Sequence, residues 1–344
     1  MTGKPTHTAV PYEFTVGGRK FTQPENDGLI QLVVEDHVDM VTMLTAQVGG
    51  AEVQPEWGFK VGDAVSCKVG TGEKPLFEGE VISIDPGYQI DGIASVTIRA
   101  LDKSHRLGRG RKTRRWNDKK DSDVVKEVGA ESGLSVDADD TTEVQGYILQ
   151  RNESNIAFLK RLAARNNYLL RVTDGKLEFK KPSFQGSSVD IKMGEGLRSM
   201  RLAFNTTDMV QKVVVRGWDV KAKKEIVGMA SAGQVTKIGG GEVGAEQAGK
   251  FGESVAYVTD VPVSSQSQAD EVAKAEMERI ARQFCRGSAT VAGDDALRAG
   301  VTANFSGLPQ GQNGKFFVMS SRHVISSRSG YTTELTFISN TTGS

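Results

Sequence analysis

Gly244-Ala245-Glu246-Gln247-Ala248-Gly249-Lys250 matches the first seven positions of a phosphate-binding P-loop. In such a loop glycines bring backbone amides against phosphate and the lysine meets its charge. Phe251 stands where that loop needs a Ser or Thr to hold magnesium, and Gly239-Gly240-Gly241 precedes it in place of a buried strand. A mobile surface loop over Gly239–Gly249 is the expected reading. Glycosidase chemistry needs two carboxylates facing each other across roughly 5–9 Å, one of them desolvated. The acid pairs here, Asp139-Asp140 and Asp294-Asp295, are sequence neighbours that point to different sides among Thr, Gly and Ala, so solvated turns are expected. His323 lies in the strand-like run Ser320-Ser321-Arg322-His323-Val324, and the chain has no G-x-S-x-G elbow. A structural histidine follows rather than a nucleophile's base. His7, His37, His105 and His323 never approach metal-ligand spacing with Cys67 or Cys285.

The densest basic stretch runs from Arg106 to Arg115 and ends on Trp116. It is a candidate phosphate binder, but it lacks the interleaved aromatics of a single-strand platform, and Asp118, Asp121 and Asp123 follow at once. Pairing within the chain or at a subunit interface is expected. These readings assign no catalytic residue, no cofactor-binding residue, no metal ligand and no cofactor.

The bulk properties agree. The 344 residues carry 43 Lys+Arg against 43 Asp+Glu, a formal charge of zero, which removes the simplest argument for nucleic acid or an anionic membrane as main partner. The length suits two or three domains of roughly 100–150 residues each. Hydrophobic residues at 38% and charged residues at 25% describe a folded chain, and 39 glycines against 9 prolines suggest many tight turns between short strands. No apolar run nears the roughly 20 residues of a membrane helix, and the first residues lack the pattern of a signal peptide. Synthesis in the cytoplasm is expected, with Cys67 and Cys285 as two free, buried thiols.

The elements that must position these residues are mostly strands. Val16-Gly17-Gly18-Arg19 reads as a hairpin turn, and alternation of apolar and polar residues marks strands over Leu29–Glu35, Val38–Val48, Val61–Val69, Leu76–Ile84 and Ala94–Ala100. Their number points to a barrel or sandwich. After the aperiodic segment at His105, Asp121-Ser122-Asp123 opens a short helix and Ser154 caps a second one with a stripe of Ile156, Phe158, Leu159, Leu162 and Ala163. Asp174-Gly175 turns a hairpin. Strands return at Leu197–Phe204, Asp208–Trp218, Gly300–Phe305, Lys315–Ser321 and Tyr331–Phe337, interrupted by a helix that Ser267 opens and whose stripe is Ala273, Met277, Ile280 and Phe284. The expected domains are a β unit over residues 1–105, an α+β unit over 106–185, and a second β unit over 186–344 with an inserted loop and helix.

Three segments in order resemble the phage late control D family. Arg151-Asn152-Glu153-Ser154 through Phe158-Leu159-Lys160-Arg161-Leu162-Ala163, followed by Asp174-Gly175 and Leu177-Glu178-Phe179, is similar to that family's middle helix and hairpin. Asp102-Lys103-Ser104-His105-Arg106-Leu107 to Thr113-Arg114 resembles its crossover. Gly314-Lys315-Phe316-Phe317-Val318 through His323-Val324 to Gly330-Tyr331-Thr332-Thr333-Glu334-Leu335 resembles its ending. The resemblance spans about Leu29 to Phe337 and implies a baseplate hub of contractile tails and injection systems, similar to the N-terminal hub portion of type VI secretion spike proteins. The implied fold class is mainly β with α+β: two related β-barrel domains flanking a small α+β domain, forming a pseudo-sixfold ring as a homotrimer. The implied partners are a trimeric spike, a hexameric tail tube and baseplate wedge or LysM-type hub-associated proteins. Nucleic acid would at most pass through the channel, no membrane is involved, and the product is assembled into a virion or injection particle. Only Ile338–Ser344 follows the last motif, so the spike is expected on a separate chain. Two rival functions are a tail-associated peptidoglycan-degrading enzyme, which needs a carboxylate pair or metal not found here, and a β-barrel nucleic-acid-binding module.

Overall fold

The computed structural model describes residues 11–22, 28–50, 58–70, 74–88, 94–173, 175–184, 186, 188–220, 222–326 and 329–343. His7 and Asp174 lie outside them. The front of the chain supplies β1 (Tyr12–Val16), β2 (Arg19–Phe21), β3 (Leu29–His37), β4 (Met43–Gly50), β5 (Ala64–Val69), β6 (Phe77–Gly87) and β7 (Ala94–Leu101). Gly17 and Gly18, at φ +55° and +86°, make the left-handed turn from β1 to β2 that other residues resist. Alternate side chains of these strands, among them Phe14, Leu32, Leu44, Cys67 and Ile98, close one core, while their neighbours on each strand remain outside it. A turn at residues 38–42 separates β3 from β4, where apolar alternation alone suggested one strand over Val38–Val48.

The middle contains β8 (Lys112–Trp116), β9 (Lys119–Lys120), α1 (Asp121–Glu131), β10 (Ser135–Ala138), β11 (Val144–Gln145), β12 (Ile148–Glu153), α2 (Asn155–Asn166), β13 (Leu169–Thr173) and β14 (Lys176–Lys180). Val124, Val125 and Val128 of α1 meet Phe158, Leu159 and Leu162 of α2 and Leu177 and Phe179 of β14 in a second core. The segment read as aperiodic is ordered: a 3-10 helix spans Lys103–Gly108, capped by Asp102, and β8 pairs with β12. Trp116 is buried in that core, stacked on Phe158 at 5.2 Å, which anchors the end of the basic run. Ser154 caps α2 by accepting from the Ala157 amide at 3.3 Å. Ser154→Ala is expected to lower the unfolding free energy by about 1 kcal/mol in a urea titration.

The back holds β15 (Ser188–Met193), β16 (Gly196–Phe204), β17 (Lys212–Asp219), β18 (Lys224–Ser231), α3 (Gly244–Ala248), β19 (Val255–Val258), α4 (Gln266–Ala281), β20 (Cys285–Ala292), β21 (Thr302–Ser306), β22 (Gly314–Ser326) and β23 (Gly330–Ser339). Strands β22, β21, β15, β16, β20 and β23 pair in that order, and β23 returns to β22, so these six strands form a closed barrel. Phe305, Phe316 and Phe337 meet at its centre with ring centroids 5.1–5.7 Å apart. A separate sheet, ordered β18-β17-β19, packs its Val213, Val215 and Ile226 face toward α4. Gly228 of β18 permits this, since a Cβ there would lie 2.2 Å from the Ala269 backbone. Helix α4 is capped by Ser265, which accepts from Gln268 N at 3.1 Å, rather than by Ser267. Cys285 opens β20.

Front and back are one sheet of thirteen strands, because β3 pairs antiparallel with β22 from Gln31↔Ser326 to His37↔Ser320. Among the described residues the front ladder runs from β2 to β3 without joining its two ends, so the closed barrel is the back one. The 13-residue β22 serves both halves: Phe316 and Val318 enter the back core, and Ile325 enters the front core with Tyr331.

Candidate functional site

The chemistry-bearing residues read from the sequence are dispersed and individually satisfied. Gly239–Gly249 is not a free-standing loop: it includes α3 and contacts the residues that follow β23. Val243 bridges to Thr341, and Gly244 N donates to the Asn340 carbonyl at 3.0 Å. A Cβ on Gly244 would fall 2.0 Å from the Phe284 ring, so this glycine serves close packing rather than a phosphate cradle. Ala245 and Ala248 are buried, whereas Lys250 is exposed. The error came from reading glycine density as looseness; here it marks close approach.

The adjacent acids diverge. Asp139 accepts from Lys180 Nζ and from Lys181 N, each at 3.0 Å, while Asp140 accepts from Lys126 Nζ at 2.9 Å. The nearby Asp137 is held down at about 2 by hydrogen bonds from Lys176 and Lys180. Asp294 accepts from Ala296 N at 2.9 Å within a turn. Part of the basic run's charge is spent inside the chain. Arg106 pairs with Glu80, Lys112 and Arg114 with Glu131, and Arg114 also donates to Gln150 Oε1 at 2.8 Å and Asn155 Oδ1 at 3.1 Å. Among the described residues no group of His, Cys, Asp and Glu is placed to hold a metal ion. Cys67 and Cys285 are free, buried in different cores, and burial pushes both thiols up to about 12.

What the fold does assemble is a polar seam where its three parts meet. Ala299 N donates to Asp36 Oδ2 of β3 at 3.1 Å. The Ala299 carbonyl accepts from Arg171 Nη1 of β13 at 2.8 Å. Arg298 Nη2 donates to the Pro75 carbonyl at 2.6 Å. Two successive back residues thus hold the front and the middle together. Burial raises the Asp36 pKa, against the lowering effect of the Ala299 amide and of Arg171 and Arg298. His323 lies in the same seam, between Val34 of β3 and Thr333 of β23. Its Nδ1 is 2.8 Å from the Tyr331 hydroxyl and 3.2 Å from Thr333 Oγ1. Burial, reinforced by Arg298, pulls the imidazole down to about 3, so it is neutral at physiological pH. A neutral histidine held by two hydroxyls, with no carboxylate behind it, is a structural group. No helix among the described residues is long and apolar enough to cross a membrane.

Two surface features escaped sequence reading. The outer face of the β17-β18-β19 sheet leaves Trp218, Met229 and Tyr257 exposed at 57%, 52% and 62%, beside the Arg216–Glu225 pair. On the barrel, Arg201 and Arg286 share an outer face with Arg279 and Arg282 of the α4 end around a cavity of about 740 Å³. Period-two reading of β16 and β20 would have put Arg201 and Arg286 outward; nothing in either segment tells that the two strands are neighbours.

The architecture is that of a mainly β protein built on a closed six-strand barrel fused to a second wrapped sheet. The chain belongs to the family described as the Alg8 N-terminal domain, whose model matches residues 47–327. No curated protein matches it in sequence. In structure it is similar to the 43 kDa tail protein of prophage MuSo2 from Shewanella oneidensis, with a TM-score of 0.72 at 14% identity over 96% of this chain and 98% of that one. The tail protein from Neisseria meningitidis MC58 gives a TM-score of 0.72 at 12% identity, covering 96% of each chain. The E. coli c3393 protein, described as a component of the type VI secretion system with structural similarity to the T4 bacteriophage tail proteins gp27 and gp5, gives 0.65 at 10% identity over 95% of this chain and 76% of that one. At these identities the likeness is one of fold.

Proposed function

We propose that the chain is a structural baseplate hub of a contractile tail or injection particle, a homotrimer that joins a hexameric inner tube to a trimeric spike. The observation that carries this reading is the extent of the fold likeness. A prophage tail protein superposes over 96% of this chain and 98% of its own length, so the likeness takes in nearly the whole of both chains. The late control D resemblance of the three motifs supports the same role. The proposed division is a front module over 1–105, a middle α+β unit over 106–185 and a back module over 186–344. Each module has its own core, the back one inside a closed barrel and the front one under a sheet whose ends do not join among the described residues; in the proposed trimer these would make six β modules around an axis. The role asks for interfaces and rigidity, not for catalysis. The seam and the shared β22 supply rigidity, and the exposed Trp218, Met229 and Tyr257 supply apolar area for a partner. Spike, tube and wedge proteins are the proposed partners, and a virion or injection particle the proposed location.

The test is an image of particles assembled with the tagged chain, averaged along the long axis. Labelled density with threefold symmetry at the tube–spike junction is expected. Label elsewhere on the particle, or no ring at that junction, overturns the proposal.

A further inference from the structure

We propose that the outer face of the back barrel is a docking groove for an extended acidic segment of a partner protein. Residue pairing places Arg201 of β16 opposite Ser288 of β20, and Ala203 opposite Arg286. Arg201 and Arg286 are therefore diagonal neighbours on one face, with Cβ atoms on the order of 7–8 Å apart, close enough for two guanidiniums to share one or two carboxylates. Arg279 and Arg282 line the same cavity, and no Asp or Glu does. Arg279 is already held by Glu276 at 2.6–2.7 Å, and Arg282 donates to Asn167 and to the Glu278 carbonyl. Arg201 and Arg286 have no ion pair or side-chain hydrogen bond among the described residues. In a chain of zero formal charge, gathering four guanidiniums around one acid-free cavity leaves a local demand for anions.

The cavity's floor selects among anions. Phe317, Phe337 and Ile338 lie beneath the arginines, with both rings buried to 2% exposure or less, so no aromatic face is presented for a base to stack on. The same groove continues past Arg201, Ser288 and Thr336 into a second cavity of about 900 Å³, where Met40, Met43 and Ile156 stand beside Glu35, Asp36 and Glu334. One end is cationic, and the other mixes apolar side chains with carboxylates. A peptide whose own carboxylates are confined to one end, with apolar side chains following, fits that sequence of surfaces; a uniform polyanion would run its charge against Glu35, Asp36 and Glu334. The groove belongs to the isolated chain and does not depend on the hub reading.

The probe is a fluorescein-labelled peptide of about ten residues, glutamates at one end and leucines at the other, titrated with the full chain and read by anisotropy. Saturable binding is expected, weakened about tenfold or more by Arg201→Glu with Arg286→Glu, a loss of roughly one charge-assisted contact. Both side chains are exposed, so melting should not change; if the reversed-charge protein fails to fold, Arg201→Gln with Arg286→Gln is read the same way. Equal affinity in the variant, or no binding to the parent chain, overturns the proposal. So does an unlabelled thymidine oligonucleotide that displaces the peptide more strongly than unlabelled peptide does. A change in self-association of the double variant in sedimentation also overturns it, because the occupant would then be a second copy of this chain.

Discussion

Phe337→Ala is expected to lower the unfolding free energy by about 3–5 kcal/mol in a urea titration, with the m-value unchanged. Phe337 is 1% exposed and lies within 5.1 Å of both Phe305 and Phe316, ring centre to ring centre. It also covers Gly287 on the neighbouring β20, where a Cβ would meet the Phe337 ring at 2.3 Å. The ring therefore fills the space of two positions, its own and that of the missing side chain opposite. Removing it leaves a void flanked by a glycine, which cannot collapse by a rotamer change. A loss below about 1 kcal/mol would show that the barrel centre is not close-packed as described.

The second large effect is on pH. His323 is neutral in the native protein down to about 3, whereas in the unfolded chain it takes a proton below 6.5. Between those values the unfolded state binds more protons, so native stability is present in full above 6.5 and is lost as the pH falls. The steepest slope from this one group is about 1.4 kcal/mol per pH unit. His323→Phe keeps an aromatic ring in the seam but removes the titration. It is expected to flatten the stability profile between pH 6 and 4, at some fixed cost from the hydrogen bond lost at the Tyr331 hydroxyl. A profile parallel to that of the parent protein over this range would show that His323 is not the group responsible.

The strands and helices were largely legible in the sequence because period and capping are local. Ser154 and the stripe of α2 could be placed from a dozen residues, and Gly17-Gly18 named its own turn. What misled was local chemistry whose meaning is set elsewhere. Five serine or glutamine residues in a row, Ser264-Ser265-Gln266-Ser267-Gln268, offer several caps, and the folded chain uses Ser265. Gly244 looked mobile because its reason, Phe284, lies forty positions away. Pairing of the basic run within the chain was expected, but its partners Glu131, Gln150 and Asn155 could not be named because they come from later elements. The arginine groove was invisible for the same cause: its members lie on β16, α4 and β20, and only the closing of the barrel brings them together. His323 was identifiable as structural, but not as part of a seam, since neither Arg298 nor Val34 is near it in sequence.

Strand β22 gives the molecule a mechanical character. A force drawing the two halves apart along the strand direction would load the β3–β22 backbone hydrogen bonds in shear, as a row rather than one at a time. The joint between the halves is a continuous sheet and not a linker.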